Sequence, residues 1–271
     1  CPLCPTRPGG AETEIPEPDY HIAVFENRFP AYEGDQGRCE VVCYTPEHDS
    51  SLGAQPLEQI RDLVEVWQDR FRELSRLPNV RYVYIFENRG EAIGVTLSHP
   101  HGQIYAYPFV PPRIETELRA FDRHRRRHGG CLYCHVLEGE RKGERTVTGD
   151  ARWLAFVPPF ARFPYEVHLA PRRHLGDLTE LSDAEAGSLA AVLRDLLQRY
   201  DRLFDRPLPY VMAMHQRPAG RGRRHYHLHI EFYPPNRTAE KLKYLAGSEL
   251  GAGAFIMDAL PEDTAKRLRE L

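Results

Sequence analysis

Five consecutive residues, His99-Pro-His-Gly-Gln103, put two imidazoles and an amide at alternate positions. In an extended strand alternate residues share a face, so His99, His101 and Gln103 point the same way. A neutral imidazole attacks phosphorus near pH 7 without a base to activate it. His101 is therefore a candidate nucleophile for a nucleotidyl group. Gln103 can donate to a phosphate oxygen without bringing a titratable proton, which stabilises charge building up in the transition state. Pro100 stiffens the run, and Gly102 permits close approach of a phosphate.

A second chemistry stands beside it. Two C-x-x-C pairs, Cys1/Cys4 and Cys131/Cys134, accompany 13 histidines. Cys1, Cys4, His48 and His99 form one soft donor set, and Cys131, Cys134, His174 and His225 form another in the same order. Tetrahedral zinc takes such sets, and a closed Cys2His2 site is structural because no position is left for water. Zinc fingers space their ligand pairs by about a dozen residues, whereas 44 residues separate Cys4 from His48. These metals therefore brace a larger domain. Cys39 and Cys43 have no counterpart and are expected to be ordinary thiols.

The elements that must position these groups occur twice. His48 and His99 stand 51 residues apart, as do His174 and His225. His99–Pro108 reads like His225–Pro234, and Phe29-Pro30 like Phe163-Pro164. Apolar residues recur at helical spacing from Leu57 to Leu74 and from Leu189 to Tyr200, the second run opening with a capping box at Ser182-Asp-Ala-Glu185. Each half reads strand, strand, helix, strand, strand. That order predicts an α+β fold of two repeated halves, with antiparallel sheets carrying helices on one face. The halves are placed at 1–122 and 131–271, joined by the basic run Arg123–Gly130, a solvated face or linker.

The 271 residues are 41% apolar and 28% charged, with a net charge of −3. This is ordinary soluble composition. It gives no reason to expect nucleic acid or membrane as a partner, and no apolar run approaches a membrane span. Six cysteines in a large, histidine-rich chain fit metal binding in a reducing compartment, so a cytoplasmic location is expected. Because the chain starts at Cys1 rather than Met, further residues are expected before it.

His99-Pro-His-Gly-Gln103, with the upstream Phe86-Glu-Asn-Arg-Gly90, resembles the galactose-1-phosphate uridylyltransferases, the transferase branch of the histidine-triad superfamily. The likeness runs from Cys1-x-x-Cys4 to Lys243-Tyr-Leu-Ala-Gly-Ser-Glu249. It implies two histidine-triad-like halves and a ping-pong reaction with UDP-glucose and galactose-1-phosphate. His101 would carry the uridylyl group and Gln103 would steady it. Asn27 would contact uridine, Asn88 the ribose and phosphates, and Thr96 a phosphate. Lys243 and Glu249 would reach the hexose across the interface of a homodimer. Two Zn2+ ions per chain are implied, with iron open for the second site.

Two departures stand out. Some members bind their second metal through a glutamate downstream of the nucleophile and three later histidines. The counterparts here are Glu117, His215, His229 and Glu231, the last in place of a histidine. The Cys131/Cys134 set is favoured, and the Glu117 set stays open. Ser248 also stands where many members have tyrosine. Rival activities are an ADP-glucose phosphorylase, a triad hydrolase with His227 as nucleophile, and a zinc-braced binding module. We expect His227 to be a relic of duplication. The sequence leaves open the metal, the nucleotide preference and the hexose.

Overall fold

Side chains from His101 to Tyr107 alternate between half-buried and fully buried, the signature of a strand with two different faces. The structure, a computed structural model, describes every residue except 142 and 221–224. In chain order its main elements are β1 (Ala23–Glu26), β2 (Arg38–Cys43), α1 (Leu57–Leu74), β3 (Tyr82–Arg89), β4 (His101–Tyr107), α2 (Pro112–His128) and α3 (Leu132–Glu140). There follow β5 (Thr146–Gly149), β6 (Trp153–Phe156), β7 (Val167–Pro171), α4 (Asp183–Arg202), β8 (Tyr210–His215), β9 (His229–Tyr233) and α5 (Pro261–Arg269).

Among the described residues these strands form one sheet in the order β1-β2-β4-β3-β8-β9-β7-β6-β5, every neighbouring pair antiparallel. The expected repeat is visible in that order. β1-β2-α1-β3-β4 and β6-β7-α4-β8-β9 are equivalent, and β3 and β8 join the halves edge to edge. β5 extends the far margin. The boundary region between 122 and 131 is not a loose connection, because the basic run Arg123–His128 forms the last turns of α2. Gly129 closes that helix in the left-handed region at φ 82°, its N–H bonding the Arg125 carbonyl. Cations at a helix C-terminus suit the helix dipole.

Both repeat helices cover the same face, as expected. Ile60, Leu63, Val64, Trp67 and Phe71 of α1 share one core with Leu189, Leu193, Leu196 and Leu197 of α4 and with Val83, Ile85 and Ile104 of the sheet. The capping box of α4 forms as predicted, between Ser182 and Glu185. Leu57, at the head of the α1 stripe, stays largely exposed. α2 and α3 lie on the opposite face, against Tyr82, Leu154 and Phe156. Cys39 and Cys43 are buried core thiols.

The repeat differs from expectation in one register. His99 Nε2–H donates to the Thr45 carbonyl at 2.8 Å, and His227 Nε2–H donates to the Pro171 carbonyl at 2.9 Å. Thr45 precedes His48 by three residues, and Pro171 precedes His174 by three. The counterpart of His99 is therefore His227, not His225. His229 then matches His101, and Glu231 matches Gln103. The reason is strand length: β9 is two residues shorter than β4, so aligning the Tyr-Pro strand ends displaces the histidines by two. A shift of two keeps every side chain on its own face, so alternation alone cannot reveal it.

Candidate functional site

β4 runs between β2 and β3, which fixes its side chains from both sides. Cys43 lies opposite His101 on β2, and Phe86 lies opposite Gln103 on β3. Gly102 points to the side covered by α1 and α4, where the buried Tyr44 hydroxyl lies against it, and any Cβ there would collide with that oxygen. His101 and Gln103 point to the other side. The His101 Nδ1–H donates to the His99 carbonyl at 2.7 Å. This bond sets the tautomer and leaves the lone pair on Nε2. Burial pushes the His101 pKa below the ordinary imidazole range, so the ring is neutral near pH 7.

His101 lines a cavity of about 830 Å3 together with Asn88, Thr96, Ser98, Glu87 and Arg89. Three of the residues predicted for catalysis and substrate binding, His101, Asn88 and Thr96, are thus brought to one space, with the predicted metal donor His99 beside them. Asn27 belongs to a neighbouring cavity of about 570 Å3 with Arg28, Tyr32 and Arg38. Its Nδ2–H donates to Gln103 Oε1 at 3.4 Å, which links the two. Lys243 and Glu249 do not line either cavity within the chain. The Lys243 ammonium is buried against the carbonyls of Arg162 and Ile256, and Glu249 accepts from the N–H groups of Ala246 and Ile256.

The metal-donor sets assemble with one correction. Ligand atoms of Cys1, Cys4, His48 and His99 lie within 4.8 Å of one another, as do those of Cys131, Cys134, His174 and His227. His225 stays outside, on a surface recess beside Glu115 and Asp122. Zinc–sulfur and zinc–nitrogen bonds of about 2.3 and 2.0 Å at a tetrahedral angle put S and N about 3.5 Å apart. Cys4 Sγ lies 3.5 Å from His48 Nδ1 and 3.6 Å from His99 Nδ1. Cys134 Sγ lies 3.7 Å from His174 Nδ1 and 3.5 Å from His227 Nδ1. In His99 and His227 the other ring nitrogen is spent on a carbonyl, the usual orienting partner of a metal-bound imidazole. Both sets fit tetrahedral zinc.

Sequence reasoning missed His227 as a donor, and its Nε2 and Nδ1 are both engaged, so it has no nitrogen free for nucleophilic attack. His229 is also closed off, being buried with Nδ1 on the His227 carbonyl. Glu231 stands where Gln103 stands in the first half, and a carboxylate there would repel a phosphate. The first half alone keeps a half-buried histidine beside a neutral amide.

Residues 31–111 match the family described as galactose-1-phosphate uridyl transferase, N-terminal domain, and residues 117–271 match the corresponding C-terminal domain. The chain belongs to the galactose-1-phosphate uridylyltransferase family. A galactose-1-phosphate uridylyltransferase of Thermotoga maritima is 43% identical over 289 residues, spanning 100% of this chain and 89% of that protein. Its counterpart in Streptomyces lividans is 45% identical over 288 residues, spanning 100% of this chain and 78% of that protein. A solved uridylyltransferase structure superposes with a TM-score of 0.92 at 38% identity, covering 100% of this chain and 90% of that one. The family is one of nucleotidyltransferases, which makes the His101 cavity the candidate active site of a transferase. Among the described residues no helix is long and apolar enough to cross a membrane.

Proposed function

We propose that the chain exchanges UMP between UDP-glucose and galactose-1-phosphate through a uridylyl-histidine at His101. The observation that carries this is the His101 ring itself, neutral and tied through Nδ1–H to the His99 carbonyl, in a cavity with Asn88 and Thr96. Nε2 attacks the α-phosphorus of UDP-glucose. The N–P bond forms as the P–O bond to the β-phosphate breaks, and glucose-1-phosphate leaves with that oxygen. The Nδ1 proton stays on the ring, and its bond to the His99 carbonyl supports the positive charge the ring takes on. A phosphate oxygen of galactose-1-phosphate then attacks the same phosphorus from the emptied side, the N–P bond breaks, and UDP-galactose departs.

Gln103 donates to a non-bridging oxygen in both steps, its amide carbonyl engaged by Asn27. Asn27 faces the uridine side, while Asn88 and Thr96 hold ribose and phosphate. Zinc in the two Cys2His2 sets supplies rigidity, and through His99 it fixes the carbonyl from which His101 hangs. A homodimer completes the hexose site through Lys243 and Glu249. Supporting this, the arm around them exposes Tyr244, Leu245, Leu250 and Ile256 to solvent in the single chain. The setting is galactose metabolism in the cytoplasm.

The test is to incubate protein with UDP-glucose labelled in the uridylyl group, without acceptor. Label should appear on the wild type in acid-labile, base-stable form and be discharged by galactose-1-phosphate. It should be absent from His101→Ala. Label from ADP-glucose alone would move the chain to phosphorylase chemistry, and no label from either would leave a binding module.

A further inference from the structure

A third group of donors converges outside the two Cys2His2 sets. Atoms of Glu117, His215, His229 and Glu231 lie within 4.8 Å of one another, nearly all buried. By composition this is a candidate metal site. Its charges say otherwise.

Arg113, one turn before Glu117 on α2, sends Nη2 to Glu231 Oε2 at 2.6 Å and Nε to Glu117 Oε1 at 3.4 Å. The guanidinium thus bridges the two carboxylates that would have to hold the ion. Arg162 adds a second cation 3.5 Å from the same Glu231 oxygen. The other Glu231 oxygen faces His168 and His229 at 3.3 and 3.4 Å. The Tyr226 hydroxyl donates to Glu117 Oε2. Each carboxylate oxygen already has a donor against it. The His215 Nδ1 makes no hydrogen bond, but it lies 3.1 Å from Glu117 Oε1, within the same ionic cluster.

We infer that Arg113 takes the place of a metal ion here, making the cluster a metal-free ionic lock between α2 and strands β8 and β9. Two arginines already offset the charges of Glu117 and Glu231, while the third buried carboxylate, Glu166, is held by Arg162 at 3.7 Å and His168 at 3.0 Å. A dication would have to share Glu231 Oε2 with Arg113, and two cations packed that closely in a buried site repel strongly. Glu231 fits the same logic, since its carboxylate gives the Arg113 guanidinium a charged acceptor at 2.6 Å, which a neutral imidazole would not.

Manganese binding to the zinc-loaded protein tests this, read by electron paramagnetic resonance and by elemental analysis after gel filtration. The wild type should retain no manganese. Arg113→Met, which removes the cation and keeps the length, should gain manganese affinity by about 100-fold or more, and should melt lower without it. Arg113→Lys should stay metal-free. One manganese per chain in the wild type, released by Glu231→Gln, overturns the inference. So does an Arg113→Met protein that melts like the wild type and binds no more manganese. The wild-type arm needs no variant, so it decides even where Arg113→Met does not fold.

Discussion

His101 donates its Nδ1–H to the backbone carbonyl of His99 at 2.7 Å, and in the second half His229 makes the same bond to His227 at 2.8 Å. In both cases the donor ring is anchored two residues after an imidazole whose Nδ1 faces thiols. A bracing residue and a reactive residue therefore sit on one strand face. The two halves kept this frame and diverged in what surrounds it: a cavity and Gln103 in the first, carboxylates and arginines in the second.

Loss of His101 should remove the covalent route altogether. His101→Ala is expected to lower kcat by roughly 10^4-fold or more, the scale seen when a covalent catalyst is deleted. Gln103→Ala, which keeps the nucleophile, should cost about 10^2- to 10^3-fold in kcat, as for a single oxyanion donor. Both variants should keep the wild-type melting temperature within a few degrees. Steady-state uridylyl exchange beside calorimetry checks the pair. A Gln103→Ala enzyme with unchanged kcat would remove the amide from the chemistry.

The register of the second half makes a prediction about metal content. His225→Ala should bind as much metal as the wild type, because His225 lies outside the donor set. His227→Ala should lose one ion per chain and unfold earlier, since a structural zinc site contributes directly to folding. Elemental analysis of the two purified variants separates the outcomes. Equal loss from both would restore the alignment drawn from the strand ends.

Much of this was legible in residue order. The repeated strand-strand-helix-strand-strand pattern, the α4 capping box and the first Cys2His2 set all follow from local periodicity and ligand chemistry. The two-residue slip from His225 to His227 was not legible, because period-two alternation is blind to an even shift. The helical state of Arg123–His128 was hidden as well. It is set by a C-terminal glycine and by Phe121 and Leu118 upstream, not by an apolar stripe of its own. Nor could order alone show Arg113 between Glu117 and Glu231, since 118 residues of chain separate Arg113 from Glu231. Lys243 and Glu249 keep their expected positions in sequence, but a single chain does not bring them to the cavity.

Glu87 should make stability depend on pH near neutrality. It is 4% exposed, lines the His101 cavity and accepts a hydrogen bond from the Tyr210 hydroxyl at 3.3 Å. Burial pushes its pKa up to about 7, against the 4.5 of a free side chain, despite the nearby Arg89. The folded state therefore holds a proton that the unfolded state has released. This group favours folding most below about 4.5 and loses that advantage as pH rises through 7. The full swing is on the order of 3 kcal/mol. Glu87→Gln, fixed in the neutral form, should gain stability relative to the wild type between pH 5 and pH 8. Denaturant unfolding across that range would show it, and a constant difference would mean that Glu87 is ionised throughout.

Gly102 should tolerate no side chain unless Tyr44 gives way. The space for a Cβ at 102 is filled by the Tyr44 hydroxyl, with the Phe86 carbonyl 3.0 Å away on another side. Tyr44 is 1% exposed and packed in the main core, so it cannot swing out to solvent. Gly102→Ala is expected to cost about 1–3 kcal/mol of stability through overpacking. It should also lower transfer activity, because β4 must shift and carries His101 with it. Tyr44→Phe removes the colliding oxygen, so the Gly102→Ala, Tyr44→Phe double variant should recover part of both losses. A double-mutant cycle on melting and on kcat measures that coupling. Strict additivity would mean that the strand is displaced by the Phe86 carbonyl instead, and that the tyrosine ring is only a bystander.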